Sequence, residues 1–304
     1  MRHLIDAGHD LRALVRPGRA LPPGVEPVKG DILDYASLLA ACTGADLIFH
    51  VAGVNRMCDS DPSKMMAVNV DGTRNMVRAC RAAGVRRLVY TSSAATIGEP
   101  RGSVGTEDTV HRGSFNSNYE RSKYLAEQVV MAEGSDLDFV ILNPSSVQGP
   151  GRASGTGKLI LDAVNDRLPF LVDTRLSIVD IDDCARGHLL AAERGVKGRR
   201  YILNSFSLTM REAFALLGEV VGRPLRTRYL PGPIVMAAAA LVSVPFRVAG
   251  RKAPICPEMV RTLRHGHRYD GGRAHRELGI QYTPADDTLR RLIEWAARQG
   301  PLVK

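Results

Sequence analysis

Short apolar runs alternate with longer stretches of helical periodicity along the first half of the chain. Leu11–Val15 and Val25–Lys29 read as strands, as do Asp46–Val51, Arg87–Ser92 and Phe139–Asn143, which end in small or polar residues. Helical patterns fall between them, at Tyr35–Ala41, Pro62–Ala83 and Ser117–Ala132. Strands alternating with helices of this length predict right-handed βαβ units and a parallel sheet. After Pro150 the pattern loosens into short helices separated by Gly and Pro, such as Leu159–Asp166 and Asp182–Glu193. Thr209 and Glu212 have capping-box spacing at the start of a further helix, and Asp286–Gln299 reads as an amphipathic one.

The expected fold class is therefore α/β: a doubly wound, Rossmann-like parallel sheet over residues 1–150, and a smaller substrate lobe over 151–304. The stretch of about 177–200 returns to the main domain through Ile178–Asp182. With 304 residues, 44% hydrophobic and 24% charged, the chain has the makings of a globular enzyme. Five cysteines without a CxxC pair argue against a disulfide framework or a zinc site, so no metal is expected and a reducing cytoplasm is the default.

Charge changes the picture only in the second half. Residues 1–190 carry 21 Lys/Arg against 23 Asp/Glu, whereas residues 191–304 carry 20 against 9, a net of +11. The excess reads either as a solvated basic face or as attraction for a phosphorylated substrate or an acidic lipid surface. No nucleic-acid-binding motif accompanies it, so nucleic acid is not an expected partner. Ile234–Phe246 is apolar but shorter than the ~20 residues that span a bilayer. It reads as a buried helix, or as a wall of an apolar substrate site or a membrane-surface helix. Arg223, Arg226 and Arg228 precede it, and Arg247, Arg251 and Lys252 follow, so weak peripheral membrane contact is a reading to be tested.

The chemistry centres on Tyr119 and Lys123. Their i, i+4 spacing puts both side chains on one helix face, where an ammonium would lower the pKa of a phenol otherwise near 10. Upstream, the strand ending in Tyr90-Thr91-Ser92-Ser93 delivers a hydroxyl to the C-terminal edge of the sheet, where open α/β folds bind ligands. Ser93 is placed to polarise a substrate oxygen while Tyr119 transfers the proton, which is general acid–base chemistry beside a hydride carrier. Val51, Ala52 and Gly53 let the backbone approach a cofactor closely. Asp31 and Ile32 follow another strand end and suit an adenine. Asn69 lies in a helical stretch whose Gly72 needs a packing or functional reason. Thr91, Pro144 and Ser146 lie in strand-end segments, the last two in a loop that would fold over a nicotinamide.

Together these segments resemble the extended short-chain dehydrogenase/reductase family, also called the NAD-dependent epimerase/dehydratase family. VYTSSAATIG, LNPSSVQGPG and LSIVDIDDCARGHLLA bring the resemblance closest to dihydroflavonol-reductase-like proteins and hopanoid-associated sugar epimerases. The resemblance implies that Ser93, Tyr119 and Lys123 are the catalytic trio, that Asn69 is the family's helix asparagine, and that Val51, Ala52 and Gly53 form its cofactor-contacting strand end. It also implies a homodimer through helices such as Pro62–Ala83 and Ser117–Ala132.

The family's fold begins with a strand, a Gly-rich turn and a helix whose N-terminus holds the pyrophosphate. No GxxGxxG occurs in this sequence, and Met1–Gly8 reads as the second half of that helix. The first strand and Gly-rich loop are thus missing from the expected sheet, and the protein is expected to begin roughly 15–30 residues upstream. Arg16 then sits where the ribose is read, with Arg19 close by; a guanidinium there favours NADP over NAD. The expected reaction is carbonyl reduction or alcohol oxidation on a small-molecule substrate. Sugar-nucleotide epimerisation and a noncatalytic cofactor-sensing role are the alternatives.

Overall fold

The computed structural model describes residues 1–299 apart from Pro17, Arg19 and Lys252, and describes Arg247 without its side chain. The chain opens with a short helix α1 (Arg2–Asp6), then strands β1 (Leu11–Val15) and β2 (Val25–Lys29), helix α2 (Tyr35–Cys42) and strand β3 (Leu47–His50). Helices α3 (Ser63–Met66) and α4 (Gly72–Ala82) are joined through a π-helical turn at Ala67–Asp71, where a single helix is expected from the periodicity. β4 (Arg87–Thr91), a 3-10 turn at Ala94–Ile97, α5 (Asn118–Glu133) and β5 (Phe139–Pro144) follow.

β3, β4 and β5 are parallel neighbours. Their apolar runs are continuous because helices cover both faces: Val89, Tyr90, Val140 and Leu142 have no exposed surface. β1 and β2 form a separate parallel pair. Among the described residues no strand joins β1 to β3, so the sheet is interrupted where the sequence predicts the gap. Gly72 has a packing reason, since a Cβ there would stand 2.9 Å from Cγ1 of Ile32.

The remaining elements are β6 (Ser146–Gln148), α6 (Thr156–Val164), β7 (Phe170–Val172), β8 (Arg175–Asp180), α7 (Ile181–Arg194), β9 (Arg200–Leu203), β10 (Phe206–Thr209) and α8 (Met210–Val221). Then come β11 (Arg228–Leu230), α9 (Gly232–Val248), α10 (Pro257–His265), α11 (Gly272–Leu278) and α12 (Ala285–Gln299). α7 packs on β4 and β5, and β9 pairs with β5 to extend the main sheet, as Ile178–Asp182 leads one to expect. α11 also packs there, on α7 and β9. A second core gathers Ile160, Val164, Phe214, Leu217, Leu292 and Ile293 from α6, α8 and α12. The Thr209–Glu212 capping box is formed.

Two expectations are overturned. Cys58 and Cys256 form a disulfide with Cα atoms 5.6 Å apart, although 198 residues separate them in sequence. Spacing rules look for local pairs and do not detect one that folding brings together. Cys42, Cys80 and Cys184 are free and buried. The apolar stretch within α9 is not a buried helix either. Ala239 is enclosed, but Ile234, Leu241 and Val248 are 58%, 75% and 84% exposed. These three recur seven residues apart, which puts them on one face, and that face points to solvent. Among the described residues no helix is long and apolar enough to cross a membrane.

Candidate active site

All four strands of the main sheet run parallel, so their C-terminal ends lie along one edge. β4 ends at Thr91, and Ser93 caps the 3-10 turn that follows, its hydroxyl accepting from the Ala95 amide at 3.3 Å. Helix α5 starts at a Ser117 cap that accepts from the Glu120 amide. Tyr119, Lys123 and Glu127 then recur every four residues on one face. Lys123 reaches back to β4, where Nζ donates to Tyr90 Oη at 3.1 Å and to the Thr91 carbonyl at 2.8 Å, and lies 4.7 Å from the centre of the Tyr90 ring. The Ser93 hydroxyl lies close enough to Tyr119 to favour its ionised form. Ser92 instead points inward to Glu127, which separates the two neighbouring serines by environment.

The electrostatics differ from the sequence expectation. Burial pushes the Tyr119 phenol above its ordinary value; the bond from Ser93 and the charge of Arg152 oppose this only in part. The expected lowering by Lys123 is not found. Burial brings Lys123 itself down to about 8, with the Glu127 carboxylate pulling it back up. At neutral pH the Tyr119 phenol therefore keeps its proton.

Beneath this surface lies a polar hub invisible to motif reading. Glu127 accepts from Ser92, from Thr96 Oγ1 at 2.8 Å, from Asn143 Nδ2 at 2.8 Å and from Arg200 at 3.3 Å. Asn143 Nδ2 also reaches the Ser93 carbonyl at 3.2 Å. The turn that presents Ser93 is thus fastened to the helix that presents Tyr119. The signal for Glu127 was its place one turn beyond Lys123 on the inward face.

The residues expected to hold a cofactor occupy several settings. Val51, Ala52 and Gly53 are exposed at the end of β3. A Cβ on Gly53 would lie 3.4 Å from Asn69 Oδ1 and 3.9 Å from Lys123 Nζ, so this edge borders the same cleft. Asn69 is buried. Its Oδ1 accepts from the Val54 amide at 2.7 Å, and its Nδ2 donates to the Val54 carbonyl and to Ser122. The carboxamide holds the strand-end loop rather than facing the cleft. Thr91 spends its hydroxyl on His188 at 2.8 Å, leaving its carbonyl toward Lys123. Pro144 is buried in β5, and Ser146 accepts from Gln148. Between them Ser145, which the sequence reading names only as part of that loop, has a buried hydroxyl with no partner among the described residues. Arg16 and Asp31 are exposed past the ends of β1 and β2, while Ile32 is buried against Gly72. Arg19 lies outside the described residues. An open glycine edge, a lysine and an orphaned hydroxyl fit the nicotinamide-ribose end of a dinucleotide.

Comparison with known proteins agrees. The profile of the NAD dependent epimerase/dehydratase family matches residues 1–203. Sterol demethylase protein B of Methylococcus capsulatus is 32% identical over 99% of this chain and 94% of its own. A Synechocystis protein named as a dihydroflavonol 4-reductase is 31% identical over 99% and 91%. The crystal structure of gox2253 superposes with a TM-score of 0.85 at 33% identity, covering 100% of this chain and 94% of that one. On these matches the chain belongs to the NAD-dependent epimerase/dehydratase family of NAD(P)-using enzymes, whose members here carry reductase, dehydrogenase and demethylase names.

Proposed function

We propose that the chain interconverts an alcohol and a ketone on an apolar small molecule by hydride transfer, with Tyr119 moving the proton and Ser93 aligning the oxygen. The observation that carries this reading is that Ser93, from the turn after β4, lies beside Tyr119 on α5, whose Lys123 reaches the end of β4 near Gly53. NAD(P), when bound, supplies or accepts the hydride. Lys123, Gly53 and Ser145 would hold its nicotinamide-ribose end. In reduction, the neutral Tyr119 phenol donates its proton to the nascent alkoxide while Ser93 holds the same oxygen by a hydrogen bond. In oxidation the proton moves the other way, from the alcohol to the Tyr119 phenolate, which Ser93 and the charge of Arg152 favour. The Glu127–Asn143 hub fixes the relative placement of the two hydroxyls, a contribution of the orienting kind.

An apolar substrate is supported by relatives named for sterol, 3β-hydroxysteroid and 2-alkyl-3-oxoalkanoate chemistry. The exposed face of α9 supports contact with an anionic lipid surface, since Arg228 stands before it and Arg251 after it. Arg16 favours NADPH over NADH by offering a guanidinium to the 2′-phosphate. The test is to incubate the protein with sterol-like ketones and NADPH and follow its oxidation. Net oxidation of cofactor with each turnover supports the reductase.

A second reading rests on the 26% identity and TM-score of 0.80 to a structure described as a nucleoside-diphosphate-sugar epimerase from Pseudomonas aeruginosa. An epimerase would convert a nucleotide sugar with no net cofactor change.

A further inference from the structure

Away from Ser93 and Tyr119, one cluster among the described residues combines metal-ligating atoms with burial. Glu99 follows the 3-10 turn that Ser93 caps, and its side chain is 1% exposed. His265 Nε2 lies 3.3 Å and His267 Nδ1 2.6 Å from Glu99 Oε1, with side chains 7% and 16% exposed. One ligand atom from each of the three residues falls within 4.8 Å of the other two. Glu99 Oε2 is buried with no hydrogen-bond partner among the described residues, and His265 Nε2 has only its contact with the same carboxylate's other oxygen. A carboxylate oxygen left without a partner away from water is costly, and a bound cation relieves it.

The backbone is built to hold this arrangement. Gly266 caps α10 in the left-handed region (φ +69°), and the turn brings the two histidine rings to 4.6 Å. Gly98 takes φ +64° before Glu99 and packs so closely on His111 that a Cβ would lie 2.0 Å from Cδ2. The segment after Gly266 is tied on two sides. Ser177 donates to the His267 carbonyl at 2.9 Å, and Gly105 and Tyr269 form a β-bridge. Tyr269 Oη, 2.9 Å from His267 Nδ1, also faces that nitrogen. Arg112, packed on the Glu99 carbonyl, is paired with Glu120 and leaves the Glu99 charge available.

We infer that Glu99, His265 and His267 form a site for one divalent first-row transition cation of the Zn²⁺ class. Two imidazoles and one carboxylate are a donor set such cations favour, with the remaining positions left for water or Tyr269. The cation would bind the start of the loop between Ser93 and Tyr119 to the stretch following α10. Its role is to hold that loop, so binding raises stability by mass action.

The test uses the whole protein, stripped with a chelator and then titrated with Co²⁺. One Co²⁺ per chain with visible d–d bands is expected, together with a rise in Tm when Zn²⁺ replaces it. Glu99→Gln keeps the shape of the side chain and should weaken Co²⁺ binding at least about tenfold, while the paired change His265→Ala/His267→Ala should abolish the bands. Far-ultraviolet circular dichroism checks that each variant is folded. If the variants do not fold, the wild-type titration decides alone: no bands and no Tm shift overturn the inference. Equal binding by wild type and a folded paired variant overturns it as well, and the cluster is then a Glu–His–His ion pair that needs no metal.

Discussion

At the scale of single residues, two titrations oppose each other in the cleft. Tyr119 is raised and Lys123 is lowered to about 8, both chiefly by burial. A phenol that keeps its proton suits reduction; oxidation needs the phenolate. Carbonyl reduction should therefore hold steady through neutral pH, and alcohol oxidation should rise with pH toward the raised Tyr119 range. Initial rates in both directions across pH check this. Stability has its own sign. Between about 8 and the ordinary lysine range the unfolded chain holds a proton that the folded one has released, so the Lys123 contribution grows more favourable as pH rises through that window. Tyr119 works oppositely, stabilising the fold below the ordinary phenol range and losing that contribution above it. Tyr119→Phe should lower kcat by about 10²–10⁴ while leaving Tm nearly unchanged, as measured by turnover and thermal melting on the same preparation.

At the scale of elements, packing of helices against strand ends is secured by buried polar groups. Glu127 joins α5 to the turn after β4, and its replacement by Gln removes the charge that Arg200 and three uncharged donors face. The expected loss is about 1–3 kcal/mol in denaturant unfolding, with a fall in kcat beyond what lost folded protein explains. The Cys58–Cys256 bridge fastens the loop after β3 to the start of α10, and Glu258 just beyond accepts the Cys58 and Asn118 amides. Because the bridge closes a long loop, the Cys58→Ser/Cys256→Ser protein should be less stable by about 2–4 kcal/mol. Calorimetry with and without a dithiol reductant should show the same deficit in the reduced wild type. Helix α9 makes the opposite case: an apolar face left in solvent. Its largest exposed side chains add nothing to the fold, so Leu241→Ser should cost under about 0.5 kcal/mol yet weaken flotation with acidic liposomes at low salt. Flotation of the variant equal to wild type would remove the lipid surface from the reading.

At the scale of the whole molecule, the parallel sheet collects its strand ends on one edge, and cofactor choice belongs there. Arg16 emerges from β1, on the strand pair that is not hydrogen-bonded to the main sheet. NADPH should bind more tightly than NADH, and Arg16→Ala should narrow the difference; fluorescence titration of both cofactors measures it. Most of this architecture was legible. Buried parallel strands write themselves as unbroken apolar runs, and β1 to β5 stand within a residue or so of where those runs predict them. The interrupted helix before Gly72 was not legible, because a π-turn leaves no gap in apolar periodicity.

What the sequence determined by itself was local: the alternation of strands and helices, the Tyr119–Lys123 face, the small residues closing β3, and the capping box at Thr209. Each follows from a repeat or a spacing within a few residues. What only the tertiary structure decided involved partners far apart in the chain. Glu127 meeting Ser92, Asn143 and Arg200, Cys58 meeting Cys256, Glu99 meeting two histidines, and α9 turning its apolar face outward all depend on which surfaces fold against one another. Burial then set the protonation of Tyr119 against the sequence expectation, because removal from water outweighed the opposing effects of Ser93 and the charge of Arg152.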